Sequence, residues 1–217
     1  MHLEILVEDQ SGKKLLDIIV PKIIGYEHTF RVIPYKGIGK IPVNLNGNID
    51  ASRRILFDRL PQLLKGYGKA FAGYSKINQP AVIVVCDLDN KCLSSFRKEL
   101  LSVLDDCHPK PETRFCIAIE EGESWFFGDM QAIRNAFPNM KTIEYVNDSI
   151  CGTWERLADA VYKGGSRKLS SQGYQVVGAE KSIWAEKITP HMDVDNNNSP
   201  SFCYFRDKLR LLVATEL

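Results

Sequence analysis

Short apolar runs alternate with longer amphipathic stretches along this chain. Runs of five or six mostly apolar residues, many of them β-branched, predict buried strands at residues 3–7, 30–34, 81–86 and 114–119. Apolar residues at helical spacing predict helices at 13–24, at about 50–64 with Asp50 or Ser52 as the cap, and at 93–104. This order predicts an α/β fold with a mainly parallel sheet and helices on both faces.

The pattern changes after residue 140, where helical spacing dominates. It predicts helices at 154–161, 179–188 and 202–212. We therefore expect an α/β core over residues 1–140 and a mainly helical C-terminal extension over residues 141–217, packed on the core.

Acidic residues follow three of the four predicted strands. The third strand ends on Asp87 and Asp89, the first on Glu8, and the fourth on Glu120 with Glu123 close behind. Parallel strands bring their carboxyl ends to one edge of a sheet, which is where open α/β sheets bind ligands. Carboxylates crowded at that edge indicate a divalent cation that offsets their repulsion. The alternative is that these acids cap helices.

Composition narrows the class of protein. The chain has 217 residues, is 44% hydrophobic and carries a formal net charge of +1, so it lacks the wholesale basic coat of many nucleic-acid-binding proteins. The first residues lack the basic stretch and apolar core of a signal peptide, and no run approaches a membrane span. The six cysteines form no CxxC pair, so we expect reduced thiols, no zinc site and a cytoplasmic location.

Two motifs carry a family resemblance. Leu6-Val-Glu-Asp-Gln-Ser-Gly12 resembles the first motif of Toprim domains, the topoisomerase–primase fold, and Val85-Cys-Asp-Leu-Asp-Asn90 resembles their DxD motif. The Gly39-Lys40 loop, Lys65-Gly66-Tyr67, the segment 119–129 and Ser199-Pro-Ser-Phe202 are similar to a bacterial family of stand-alone Toprim-like proteins. That family is related to the Toprim nucleases of the overcoming-lysogenisation-defect type.

The resemblance implies a Toprim-like, Rossmann-like core and a metal-dependent nuclease. Magnesium or manganese held by carboxylates would serve hydrolysis of a phosphodiester bond. Glu8 is either a metal ligand or the general base, and Lys181 matches the late lysine that approaches the scissile phosphate in some Toprim nucleases. The implied catalytic residues are Glu8, Asp87, Asp89, Glu120 and Lys181, and the implied metal ligands are Glu8, Asp87, Asp89, Glu120 and Glu123.

Basic residues near glycines are candidates for phosphate contact, because glycine permits close backbone approach and lysine or arginine supplies charge. The alternative is that they are solvated loop residues. The candidates for binding nucleic acid are Lys36, Lys40, Arg53, Arg54, Lys163, Arg167 and Lys168. The expected partners are DNA or RNA, and the resemblance adds an ABC-type or SMC-like ATPase in an antiviral defence or DNA-processing system.

The first motif departs from the Toprim pattern, which usually has a second acid about four residues after its glutamate. Here that position is Gly12. A Toprim-like scaffold without turnover, which binds an ATPase or nucleic acid, is therefore an alternative. A second alternative is a phosphohydrolase of the haloacid-dehalogenase type, with Asp87 as nucleophile. Trp125 is expected to pack in the core, or else to stack on a base.

Overall fold

A computed structural model describes residues 1–42, 54–75, 79–149 and 152–214 of the chain. Four strands form one sheet in which every neighbouring pair is parallel, in the order β2-β1-β3-β4. The strands are β1 His2–Val7, β2 Thr29–Pro34, β3 Ala81–Asp87 and β4 Glu112–Ala118. The predicted parallel α/β sheet is confirmed. Its strand order reverses between β1 and β3, which creates a switch point at the carboxyl ends of these two strands.

Helices connect the strands and follow the sheet. The first three are α1 Gln10–Ile24, α2 Leu56–Phe71 and α3 Leu93–Asp105. Six more follow β4, with a 3-10 turn at Thr189–His191 between the last two: α4 Ser124–Phe127, α5 Met130–Ala136, α6 Thr153–Val161, α7 Gly165–Ser171, α8 Tyr174–Ile188 and α9 Pro200–Ala214.

Three helix starts differ from the sequence prediction by three residues or more, and that of α8 lies at Tyr174 rather than at residue 179. Helix α1 begins three residues earlier than expected, because Asp9 accepts hydrogen bonds from Gly12 N at 2.7 Å and Ser11 Oγ at 2.6 Å. Helix α2 begins at Leu56 rather than near residue 50. The predicted caps Asp50 and Ser52 lie outside the described residues.

Alternate residues of β1 face two separate hydrophobic cores. Leu3, Ile5 and Val7 pack with side chains of α1, α8 and α9 on one face of the sheet. Leu6 packs on the other face with side chains of α2 and α3. The C-terminal helices thus share a core with the sheet. Their packing places α8 beneath the carboxyl ends of β1 and β3.

Two hydrogen bonds connect the segment after β4 to α9 and to the residues that precede it. Trp125 Nε1 donates to Ser201 Oγ at 3.0 Å, and Asn197 Nδ2 donates to the Trp125 carbonyl at 2.8 Å. Trp125 is buried and stacks on Phe205 with ring centroids 4.9 Å apart. This tryptophan therefore packs in the core and offers no face to a base.

Within the described ranges, no helix combines the length and apolar character needed to span a membrane.

Candidate active site

Glu8 and Asp87 come together at the switch point of the sheet. Strands β1 and β3 pair in register up to Val7 and Val85, so the residues that follow emerge side by side at the carboxyl edge. The two side chains line one cavity and lie close enough for each to shift the pKa of the other. Glu8 Oε2 is buried and receives no hydrogen bond from any donor among the described residues.

Burial shapes the protonation of this pair. Removal from water is the largest cause that raises the pKa of Asp87 well above its usual range, and the nearby Glu8 charge raises it further. Burial likewise raises the pKa of Glu8, although its hydrogen bond with Asp87 opposes the shift. The raised pKa values favour a pair that holds a proton, which a bound cation would displace.

Lys181 brings a positive charge into the same site from α8. Its Nζ lies 3.0 Å from Glu123 Oε2 and 3.6 Å from Glu121 Oε2. Burial by itself lowers the pKa of Lys181, but the charges of Glu123, Glu121 and Asp87 together raise it above its usual value. The ammonium group therefore stays charged beside the acidic pair.

Glu121 is a member of this cluster that the sequence analysis did not assign to the site. Burial raises its pKa to about 8, against the opposing effect of the Lys181 ammonium. The segment 120–123 contains three glutamates, and the sequence gives no signal that says which of them turns inward.

A cavity of about 40 Å³ lies between these groups, with Glu8, Asp87, Glu123 and Lys181 in its wall and apolar side chains, Trp125 among them, behind them. This volume accommodates a small number of waters or a partly hydrated ion. Gly12 lines the cavity as well, and a Cβ at that position would lie 2.6 Å from Val7 Cγ2. Close packing of α1 on β1 thus explains a glycine where the Toprim pattern has an acid.

Glu120 takes a different place from the one predicted. Its backbone is left-handed, with φ of +62°, and its carboxylate accepts hydrogen bonds from Gly152 N at 2.5 Å and from Thr153 N at 3.0 Å. The Thr153 hydroxyl donates to it as well. Glu120 therefore caps α6, and the capping alternative holds for this acid.

Asp89 stands at the rim of the site. Its side chain is half exposed, and its carboxylate pairs with Lys91 Nζ at 3.4 Å. Its charge still contributes to raising the pKa of Glu8. Asp89 thus acts on the pair through its charge, and its carboxylate is not part of the buried cluster.

The glycine loop after β2 lies against the acidic edge. Gly37 N donates to the Glu8 carbonyl at 2.8 Å, and Gly37 and Gly39 adopt positive φ of +103° and +68°. Lys36 and Lys40 on this loop are exposed. Two of the predicted phosphate-contacting lysines therefore flank the strand end that carries Glu8.

The remaining basic candidates are placed differently. Arg54 donates through Nη2 to the Pro34 carbonyl at 3.0 Å, and Arg53 lies outside the described residues. Lys163 is exposed in the turn that follows α6, at the end opposite the Glu120 cap, and Arg167 and Lys168 are exposed on α7 rather than in a turn. One helix of this length separates the two ends by about 13 Å. The geometry thus associates the glycine loop, rather than this turn, with the acids.

The donor chemistry of the pair suits a hard divalent cation. Magnesium binds oxygen ligands and is commonly held by one or two carboxylates while it keeps several waters. Among the described residues no three His, Cys, Asp or Glu side chains form a ready metal cluster. The residues that would hold a divalent cation are therefore Glu8 and Asp87. In this pair, Glu8 Oε2 is a buried oxygen without a hydrogen-bond partner among the described residues.

One protein family matches almost the whole chain. Its description is "Domain of unknown function (DUF4276)", and the match covers residues 7–210. The chain belongs to the DUF4276 family. The matched part of this DUF4276 chain includes every residue of the buried cluster, from Glu8 to Lys181. A comparison with curated proteins and one with solved structures returned no match.

Proposed function

We propose that this DUF4276 protein is a metal-dependent nuclease that hydrolyses phosphodiester bonds in DNA or RNA. The observation that carries the proposal is the pairing of Glu8 and Asp87, whose side chains line one cavity at the switch point of a parallel sheet. The resemblance of its two acidic motifs to those of Toprim domains supports the same reading.

The roles of the residues follow from their positions. Glu8 and Asp87 would hold Mg²⁺ or Mn²⁺, which when bound supplies charge neutralisation for a phosphate and an acidified water. Of the two acids, Glu8 has a buried oxygen without a donor, so Glu8 Oε2 is our choice as acceptor of the proton of the attacking water.

Lys181 would stabilise negative charge on the reacting phosphate. Its ammonium is fixed by Glu123 and Glu121, so it is already oriented when substrate arrives. The exposed Lys36 and Lys40 would contact the phosphate backbone outside the site, where they supply affinity without reading sequence.

The Toprim resemblance favours a partner ATPase of the ABC or SMC type and a role in antiviral defence or DNA processing. The five described cysteines are free thiols, in keeping with a cytoplasmic location.

A specific observation favours a second candidate function. The first motif has Gly12 in place of a second acid, and the described residues form no cluster of three metal donors. Both facts suit a Toprim-like scaffold that binds nucleic acid or an ATPase without turnover.

A cleavage assay separates the two candidates. Labelled plasmid, single-stranded DNA and single-stranded RNA are incubated with the protein in Mg²⁺ or Mn²⁺, with and without a candidate ATPase. The nuclease proposal predicts cleavage by the wild type that is lost in Asp87→Asn, Glu8→Gln and Lys181→Met. Asp105→Asn is the matched control, because Asp105 is an exposed acid that pairs with Lys110.

Each outcome selects one account. Cleavage that persists in Asp87→Asn contradicts the nuclease proposal. Metal binding without cleavage of any substrate favours the scaffold instead.

A further inference from the structure

Strand β4 forms one edge of the sheet, and part of its backbone has no hydrogen-bond partner in the part of the chain that the structure describes. Leu88 N donates to the Ala118 carbonyl at 2.9 Å and Asp89 N donates to the Glu120 carbonyl at 3.0 Å, so even-numbered residues of this strand face β3. Because the direction alternates along a strand, the odd-numbered residues direct their N–H and C=O groups outward.

Two of the outward carbonyls are already satisfied locally. The Thr113 carbonyl accepts from Arg114 Nη1 at 3.0 Å, and the Ile119 carbonyl accepts from Glu121 N at 3.0 Å. Between them, the outward groups of Phe115 and Ile117 have no partner among the described residues. An extended chain adds to an edge of this kind by hydrogen bonding to it.

The side chains beside this edge form an apolar groove of about 370 Å³. Its lining includes Phe115 and Ile117 of β4 and Ile119, the residue after it, together with Leu93 of α3 and Tyr204 of α9. Leu93 is 43% exposed, so apolar surface of the groove is open to solvent.

Two cations flank the tyrosine at the rim of the groove. The Arg97 guanidinium lies 6.0 Å from the Tyr204 ring centroid and Lys208 Nζ lies 5.1 Å from it. Neither cation has an acidic partner among the described residues, whereas the neighbouring Arg114 is paired with Glu112. Two like charges held on one ring favour an anionic group on whatever binds there.

We propose that the β4 groove binds an extended segment of a partner protein, which adds a fifth strand to the sheet beside Phe115 and Ile117. The segment carries apolar side chains at alternate positions, which enter the groove, and an acidic side chain that pairs with Arg97 and Lys208. This surface uses none of the residues of the candidate active site, so it stands or falls independently of the nuclease proposal.

The charge argues against a second copy of this chain as the occupant. Edge-to-edge pairing of two copies about a two-fold axis would bring Arg97 and Lys208 of both copies to one interface. Asp148, an acid that lines the groove, accepts from Ser199 Oγ and Ser201 N, both at 2.6 Å, and is therefore engaged within its own chain.

A displayed library of random nine-residue peptides tests the proposal. The library is selected on the full-length protein and counter-selected on the Arg97→Glu variant. We expect enriched peptides with alternating apolar residues and at least one acid. Their binding should slow amide hydrogen exchange at Phe115 and Ile117 while leaving Cys116, which faces β3, unchanged. Replacing the acid of an enriched peptide with lysine should abolish binding.

Lys98→Glu is the matched control, because Lys98 is an exposed cation of α3 that does not line the groove. Affinity should fall about tenfold in Arg97→Glu and stay within about twofold in Lys98→Glu. The proposal is overturned if no peptide is enriched, or if the enriched peptides lack acids or leave exchange at Phe115 and Ile117 unchanged. It is also overturned if the protein alone protects these amides as its concentration rises, since the occupant is then a second copy.

Discussion

Glu8 directly follows β1, Asp87 ends the adjacent parallel strand β3, and the two carboxyls line one cavity. The free-energy cost of ionising both acids there makes the pair sensitive to pH, to substitution and to cations.

Asp87→Asn should stabilise the metal-free protein at alkaline pH. Both folded-state pKa values are raised above those of the unfolded chain, so the stability that the protonated pair contributes is present at low pH and lost as pH rises through the folded-state values. The amide removes one of the ionisations, with a gain on the order of 1 kcal/mol at alkaline pH. Thermal unfolding in EDTA over a pH series measures this, with Asp105→Asn as the control. A parallel pH dependence in wild type and Asp87→Asn would contradict the prediction.

Lys181→Met should destabilise the fold strongly at neutral pH. It leaves the buried Glu123 without its counterion, and breaking a buried pair in this way costs about 3–5 kcal/mol. Lys14→Met is the matched control, since Lys14 forms an exposed pair with Glu186 at 2.5 Å whose loss costs about 0–1 kcal/mol. Urea denaturation gives both free energies of unfolding, and equal losses would refute a buried counterion role.

Glu120→Ala should affect stability rather than metal binding. The substitution removes the carboxylate that caps α6, with an expected loss of about 0.5–2 kcal/mol in the free energy of unfolding. Affinity for Mn²⁺, measured by calorimetry, should stay within about twofold of the wild-type value because Glu120 caps a helix instead of facing the pair. A loss of Mn²⁺ binding in this variant would contradict the prediction and show that Glu120 is a metal ligand.

Two glycines of α2 should respond to alanine in opposite directions. A Cβ at Gly68 would lie 1.9 Å from the Pro109 carbonyl oxygen, so Gly68→Ala should destabilise by about 1–3 kcal/mol through overpacking. Nothing lies within 4 Å of a Cβ at Gly66, so Gly66→Ala should stabilise by about 0.5–1 kcal/mol through helix propensity. Denaturant midpoints of the two variants measure this difference, and a stabilised Gly68→Ala would show that α2 packs differently.

Much of the fold follows from local pattern. Buried apolar runs and the parallel connection rule were enough to predict four strands and to bring Glu8 and Asp87 to one edge, because parallel strands share their carboxyl ends. The start of α2 was misplaced because polar residues near position 50 resemble a cap, whereas the helix begins at Leu56. Sequence patterns alone place helix boundaries less well than the elements themselves.

The details of the site depend on contacts distant in sequence. Glu120 was predicted as a ligand, but a left-handed backbone turns it toward the start of α6, more than thirty residues later in the chain. Glu121 enters the cluster because α8 delivers Lys181 to the same place. The β4 groove likewise depends on where α9 packs, which no local pattern specifies.

Calorimetric titration with Mn²⁺ tests the central claim most directly. Titration in two buffers of different ionisation enthalpy, at about pH 6, measures both the affinity and the protons released per ion. If Glu8 and Asp87 hold the ion in place of their shared proton, binding should release up to one proton, release should fall as pH rises, and Asp87→Asn should abolish binding. An absence of Mn²⁺ binding, or equal affinity in the wild type and Asp87→Asn, would contradict the account.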